Sequence, residues 1–224
     1  MTKPRPQALI AWSRGKDSAW ALHEARRAGE YDIVGALTTV TDSFARVSMH
    51  GVREAILQAQ AERVGLPLTT VRIPAPCPNE IYERAMAAAL DDARARGVSH
   101  VVFGDLFLAD LRAWRIARLA EVGMTAEFPL WQRDTAALAR EMIAAGMEAR
   151  IACLDPRRLD RSFAGRPFDA ALLDALPPDV DPCGENGEFH TVVTAGPMFA
   201  APIPTRLGEI VEREGFVFAD VLPT

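Results

Sequence analysis

Short apolar runs alternate with longer amphipathic stretches through the first two thirds of the chain. Residues 8–12 (ALIAW) are apolar without alternation, the pattern of a strand buried on both faces. Residues 17–27 then carry Ala19, Trp20, Leu22, His23 and Ala25 among polar positions, which predicts a helix stopped near Gly29. Residues 33–39 predict a second strand, residues 52–64 a helix closed by Gly65, and residues 68–73 a third strand. Asn79 is placed to cap a long helix that runs to about Arg96 and is closed by Gly97. Residues 100–103 (HVVF) predict a fourth strand ending at Gly104 and Asp105. Helices are predicted over 106–121 and 135–145, each followed by a glycine, and a fifth strand over 148–154.

Strands separated by helices of this length imply right-handed crossovers, hence an α/β fold with a doubly wound, parallel, five-stranded sheet. The pattern changes after residue 155, where Pro177, Pro178, Pro182, Gly184 and Gly187 fill a long loop. Apolar runs at 191–194, 198–203 and 216–221 then predict a smaller α+β unit with antiparallel strands. The expected division is 1–130 for the doubly wound domain and 131–224 for the C-terminal unit.

The 224 residues suffice to bury a sizeable core, and 49% hydrophobic with 25% charged residues is ordinary for a globular chain. A formal net charge of −5 argues against nucleic acid or an anionic membrane as the main partner. No apolar run approaches a membrane span, and the N-terminal one is too short for a signal peptide. Three cysteines, an odd count with no CxxC, argue against a disulfide framework and for a reducing cytoplasm.

Chemistry concentrates first in Ser13, Arg14, Gly15, Lys16, Asp17 and Ser18, directly after the first strand and at the opening of the first helix. That junction is where open parallel sheets bind anions, with helix amides pointing at the ligand. The hydroxyls, the close approach allowed by Gly15 and the charge of Lys16 suit a phosphate. The segment is not a Walker A loop, since Asp17 follows Lys16 where Ser or Thr would be needed. A plain helix start, with a Ser or Asp cap and a turn glycine, is the competing account.

A second cluster packs Cys183, Glu185, Asn186, Glu188, His190 and Thr191 into nine residues of a turn-rich loop. Functional loops collect such groups, although solvated surface charge is the blander account. Zinc on Cys183, His190 and Cys77 matches no usual ligand spacing. Arg112 and Arg115, three apart, share a helix face that suits phosphate or an acidic substrate, or merely solvent. Trp12, Trp20, Trp114 and Trp131 are expected to pack rather than form a stacking platform.

With these segments assembled, SRGKDS resembles the SGGxDS pyrophosphate loop of the N-type ATP pyrophosphatases. The wider resemblance is to the diphthine–ammonia ligase family and its bacterial relatives, the adenine-nucleotide α-hydrolase-like proteins. It runs through SMHGVREAILQAQAERVGLPL, FGDLFLADLRAWR, FPLW, DPCGENGEFHT and GPMF, nearly the whole chain. The resemblance implies a HUP-type, PP-loop sheet and an ATP-dependent ligase that releases AMP and pyrophosphate as it adenylates a carboxylate. Ammonia or another amine would then form an amide.

ATP and Mg²⁺ are the implied cofactors, and the implied partners are a small or protein-borne carboxylate and an amine donor, with a homodimer compatible. Lys16 and the loop amides would hold pyrophosphate, and Asp17 or Asp105 would organise Mg²⁺. Asp105, beside Gly104, has the alternative of capping the helix starting at Leu106. Glu185 or Glu188 would hold Mg²⁺ or orient ammonia, and His190 would handle a proton. Fold analogy puts Thr38, Thr39 and His50 beside the adenine. The Ala- and Arg-heavy composition points to a GC-rich bacterial genome, where the acceptor would differ from diphthine. Arg14 stands where the family loop has Gly, so it is either strained or part of the phosphate clamp. A regulatory module that holds ATP without turnover is the alternative from another class, and a thiol or zinc hydrolase centred on Cys183 is a third.

Overall fold

A computed structural model describes residues 4–41, 54–74 and 76–224. Five strands, β1 (Gln7–Ala11), β2 (Asp32–Thr41), β3 (Leu68–Ile73), β4 (Val98–Val102) and β5 (Thr125–Glu127), form one sheet. Their order is β3-β2-β1-β4-β5, and every pairing is parallel. Four helices connect these strands: α1 (Lys16–Ala28), α2 (Glu54–Val64), α3 (Asn79–Ala95) and α4 (Ala109–Glu121). Residues of β1 alternate between two cores, as strand geometry requires. Ala8, Ile10 and Trp12 pack with Ala19, Trp20 and Leu22 of α1 and Leu57 of α2. Leu9 packs on the other side with Leu90 of α3 and Leu119 of α4.

After α5 (Thr135–Ala144), a second sheet is built from β6 (Glu148–Leu154), β7 (Phe189–Ala195), β8 (Thr205–Arg213) and β9 (Phe216–Pro223). Its order is β7-β6-β9-β8, all antiparallel, with α6 (Ala170–Ala175) between β6 and β7. Helix α2 joins the two sheets. Its Leu57 and Val64 belong to a core that runs from β1 and α1 into the antiparallel unit, while Ile56 packs with Ala152, Val192 and Val221 of the antiparallel sheet.

The five-stranded doubly wound sheet is present, but residues 148–154 are not its fifth strand. They pair with β7 and β9 in the second sheet, and the fifth parallel place belongs to Thr125–Glu127. Three partly exposed residues are too few to show a period. Residues 198–203 form no strand, whereas Thr205–Arg213 does; its residues are mostly exposed at a sheet edge, so it lacks an apolar run. The N-cap of α3 is Pro78, with Asn79 the first helical residue, and α4 begins at Ala109 behind Leu108. Asp105 therefore caps no helix.

Candidate functional site

Strand β1 ends at Ala11, and the chain turns through residues 12–15 into α1. Arg14 makes that turn with φ 73°, a left-handed conformation that costs a non-glycine residue of the order of 1 kcal/mol. The N-cap is Gly15, and no side chain caps the helix, so the Ser or Asp cap of the competing account is not formed. The two serines brace the loop from within. Ser13 Oγ donates to Ser18 Oγ at 3.0 Å, and Ser18 Oγ donates to the Gly15 carbonyl at 3.1 Å.

The antiparallel unit closes one wall of this loop. Thr191 Oγ1 accepts from the Lys16 amide at 3.1 Å, and the Val193 amide donates to the Arg14 carbonyl at 3.1 Å. A Cβ on Gly15 would sit 3.2 Å from the Thr191 carbonyl, so glycine suits this close approach. The Lys16 ammonium is 1% exposed, lies 3.0 Å from Asp17 Oδ2, and donates to the Cys183 carbonyl. Burial disfavours its charge, but Asp17, Cys183 and Glu185 outweigh burial and leave its pKa above the ordinary value.

On the opposite side stands the end of β4. A Cβ on Gly104 would fall 2.6 Å from the Asp17 carbonyl carbon and 2.8 Å from the Ser18 nitrogen. The missing side chain thus brings Asp105 against the start of α1. Asp105 is 8% exposed, and its Oδ2 lies 3.0 Å from Arg115 Nε, whose guanidinium stacks over Phe103. Glu185 reaches over from the C-terminal loop to accept the Leu106 amide at 2.8 Å. Burial, with Asp17 and Asp105 nearby, raises the Glu185 pKa to about 7 against the pull of Leu106 and Lys16. The cradle thus brings together Ser13, Arg14, Gly15, Lys16, Asp17, Ser18, Gly104, Asp105 and Glu185.

Two carboxylate oxygens here, Asp17 Oδ1 and Asp105 Oδ2, are buried without a hydrogen bond. Among the described residues, no three of His, Cys, Asp and Glu converge as a metal cage. Mg²⁺ ordinarily takes one or two carboxylates and completes its shell with water and phosphate. Asp17 Oδ1 is open for that ion, and Asp105 would join it with an oxygen that now faces Arg115 Nε.

Glu188 and His190 stand differently. Glu188 Oε1 accepts from the Asp181 amide and from Asn186 Nδ2, each at 3.1 Å, and so braces the loop that carries Glu185. His190 alternates with Thr191 along β7 and so points to the other face of the sheet. There it lines an open cleft of about 570 Å³ with Asp155, Arg157, Arg158, Asn186 and Phe216. Burial holds its pKa down near 4, so the imidazole is neutral at pH 7.

Thr38 and Thr39 lie in β2 beyond its last pair with β1, Ala11 with Leu37, and Thr38 is buried. His50 lies outside the described residues. Arg112 packs over Phe128 and Trp131, so its face is occupied by aromatic rings. Trp12 and Trp20 are core, whereas Trp114 is 38% exposed. Cys183 is buried, its thiol donates to the Thr135 carbonyl, and burial pushes its pKa up. A thiol so disfavoured as thiolate is a poor nucleophile. Gln60 was missed: nothing in the Gln/Ala-rich run of α2 marks one amide as buried at the cradle.

Family models decide what this architecture is. The diphthamide synthase N-terminal domain matches residues 6–126, and the diphthamide synthase C-terminal domain matches residues 134–219. This chain belongs to the diphthamide synthase family. Comparison with curated proteins returns no match. Both family domains are thus represented, and the cradle lies where they meet: Ser13–Ser18 residues and Asp105 come from the first, Glu185 and Thr191 from the second.

Proposed function

We propose that this chain binds ATP with its pyrophosphate portion in the loop of residues 13–18, and uses it to adenylate a carboxylate. The carboxylate oxygen attacks the α-phosphorus, the bond to the β-phosphate breaks, and pyrophosphate leaves. An amine, ammonia in the diphthine–ammonia ligase reaction that the family suggests, then displaces AMP to form an amide. The observation that carries the proposal is the convergence of Lys16, Asp17 and Asp105 with Glu185 of the other unit around one uncapped helix start.

Each residue has a part that its surroundings support. Lys16, charged and anchored by Asp17 and Cys183, neutralises the departing pyrophosphate together with loop amides. Asp17 and Asp105 would hold Mg²⁺, which supplies further charge neutralisation on the phosphates. The backbone of Thr38 and Thr39, past the end of the β1 pairing, would receive the adenine. Glu185, with a pKa near neutrality, takes a proton from the incoming amine. In this reading residues 1–130 hold the nucleotide and residues 131–224 supply the acceptor side.

Incubation with ATP, Mg²⁺, ammonium and candidate carboxylates tests the proposal by AMP and pyrophosphate release. Equal yields of both, dependent on the acceptor, are expected. ATP binding without release of either would leave a regulatory module, and release of ADP and phosphate would refute cleavage at the α-phosphorus.

A further inference from the structure

We propose that Gln60 is a positioning residue of the cradle, holding Arg14 in its left-handed conformation and tying the loop to the antiparallel sheet. The inference rests on the reading of residues 13–18 as the pyrophosphate site. Gln60 is fully buried in α2 and satisfies three partners on two elements, the turn of residues 12–15 and β7. Its Oε1 accepts from the Trp12 indole at 3.0 Å, and its Nε2 donates to the Arg14 carbonyl at 3.1 Å and to the Val193 carbonyl at 2.6 Å. The orientation of the amide is set by chemistry, since an indole N–H donates and carbonyls accept. A flipped amide would leave two carbonyls facing an oxygen.

The Arg14 carbonyl is thereby held by two donors, Gln60 Nε2 and the Val193 amide. Arg14 disfavours φ 73°, so something must over-determine that backbone. Fixing that carbonyl holds the turn that leads into the uncapped start of α1, where the anion would sit. Helix α2 also packs on the antiparallel sheet through Ile56, so the loop shape depends on the docking of the two sheets.

The test compares Gln60→Met with wild type in two backgrounds, Arg14 and Arg14→Gly. Inorganic pyrophosphate affinity is read by calorimetry, and amide hydrogen exchange of residues 13–18 is read without ligand. In the Arg14 background, Gln60→Met should weaken pyrophosphate about tenfold or more and accelerate exchange. In the Arg14→Gly background both effects should shrink several-fold, because glycine takes positive φ without a tether. Equal losses in the two backgrounds, or unchanged exchange in a folded Gln60→Met protein, would overturn the inference. Should Gln60→Met not fold, Gln60→Glu keeps the acceptor for Trp12, removes both donors, and must show the same background dependence. Exchange that moves as expected in a protein that binds no pyrophosphate would sink the site assignment and leave the tether standing.

Discussion

Glu185 accepts a hydrogen bond from the Leu106 amide at 2.8 Å across 79 residues of sequence, from one family domain to the other. That contact places a carboxyl with a pKa of about 7 beside Asp17 and Asp105. The folded protein therefore binds more protons than the unfolded chain between the ordinary carboxyl pKa of 4.5 and about 7. The contribution of Glu185 to stability is therefore full below pH 4.5 and is lost as pH rises through about 7, against an opposite contribution from His190, whose lowered pKa adds stability as pH rises. Glu185→Gln keeps an oxygen for the Leu106 amide and should flatten this part of the pH–stability curve measured by denaturant titration. An unchanged slope would contradict the buried, protonated carboxyl.

Arg14 carries two separate costs, a left-handed backbone and a guanidinium that is 1% exposed with Nη1 unpartnered. Burial lowers its pKa to about 9. Arg14→Gly should raise the melting temperature of the ligand-free protein, since relief of backbone strain alone is worth about 1–2 kcal/mol. If the guanidinium meets phosphate, the same variant should gain less from added ATP. A larger ATP-induced shift in the glycine variant would contradict the clamp.

Lys16 is the residue on which nucleotide affinity should depend most. Lys16→Met keeps a side chain of similar length but removes the ammonium charge that lies over the rings of Phe168 and Phe189. A charge-assisted hydrogen bond is worth roughly 1.5–3 kcal/mol, so ATP affinity should fall about 10- to 100-fold by calorimetry. Unchanged affinity in a folded variant would remove phosphate binding from this loop.

Glu188 and His190 should separate clearly. Glu188→Ala strips the acceptor from Asp181 and Asn186 and should cost about 1–3 kcal/mol of stability. Turnover should fall with it, because the loop presenting Glu185 loosens, while Glu188→Gln, which keeps an oxygen, should be milder in both. His190→Ala, on the opposite face of β7, should change ATP affinity by less than about 0.5 kcal/mol. A large loss of ATP binding in His190→Ala would show that the cleft and the cradle are one site.

Residues 13–18 and 183–191 were recognisable as chemistry because reactive groups crowd there beside turn-forming glycines. Their individual roles were not. Glu185 and Glu188 are equivalent in composition, yet one spans to Leu106 and the other braces its own loop through Oε1, with Oε2 buried and unbonded. His190 is expected from the sequence to handle a proton at the same site, but strand alternation points it to the face of β7 opposite Thr191. Gln60 gave no signal, since a buried amide differs from a surface one only by what surrounds it.

By itself, the sequence determined the succession of strands and helices from β1 to β4, the glycines that end helices, and the loop at the end of the first strand. Those features depend on local periodicity and backbone preference, which act over a few residues. Tertiary structure alone decided that 148–154 joins an antiparallel sheet rather than the parallel one. Strand pairing depends on hydrogen bonds to residues distant in the chain, and an apolar run carries no mark of its partner. The same holds at the cradle: Thr191, Val193, Cys183 and Glu185 reach it only because the antiparallel unit docks on α1 and α2.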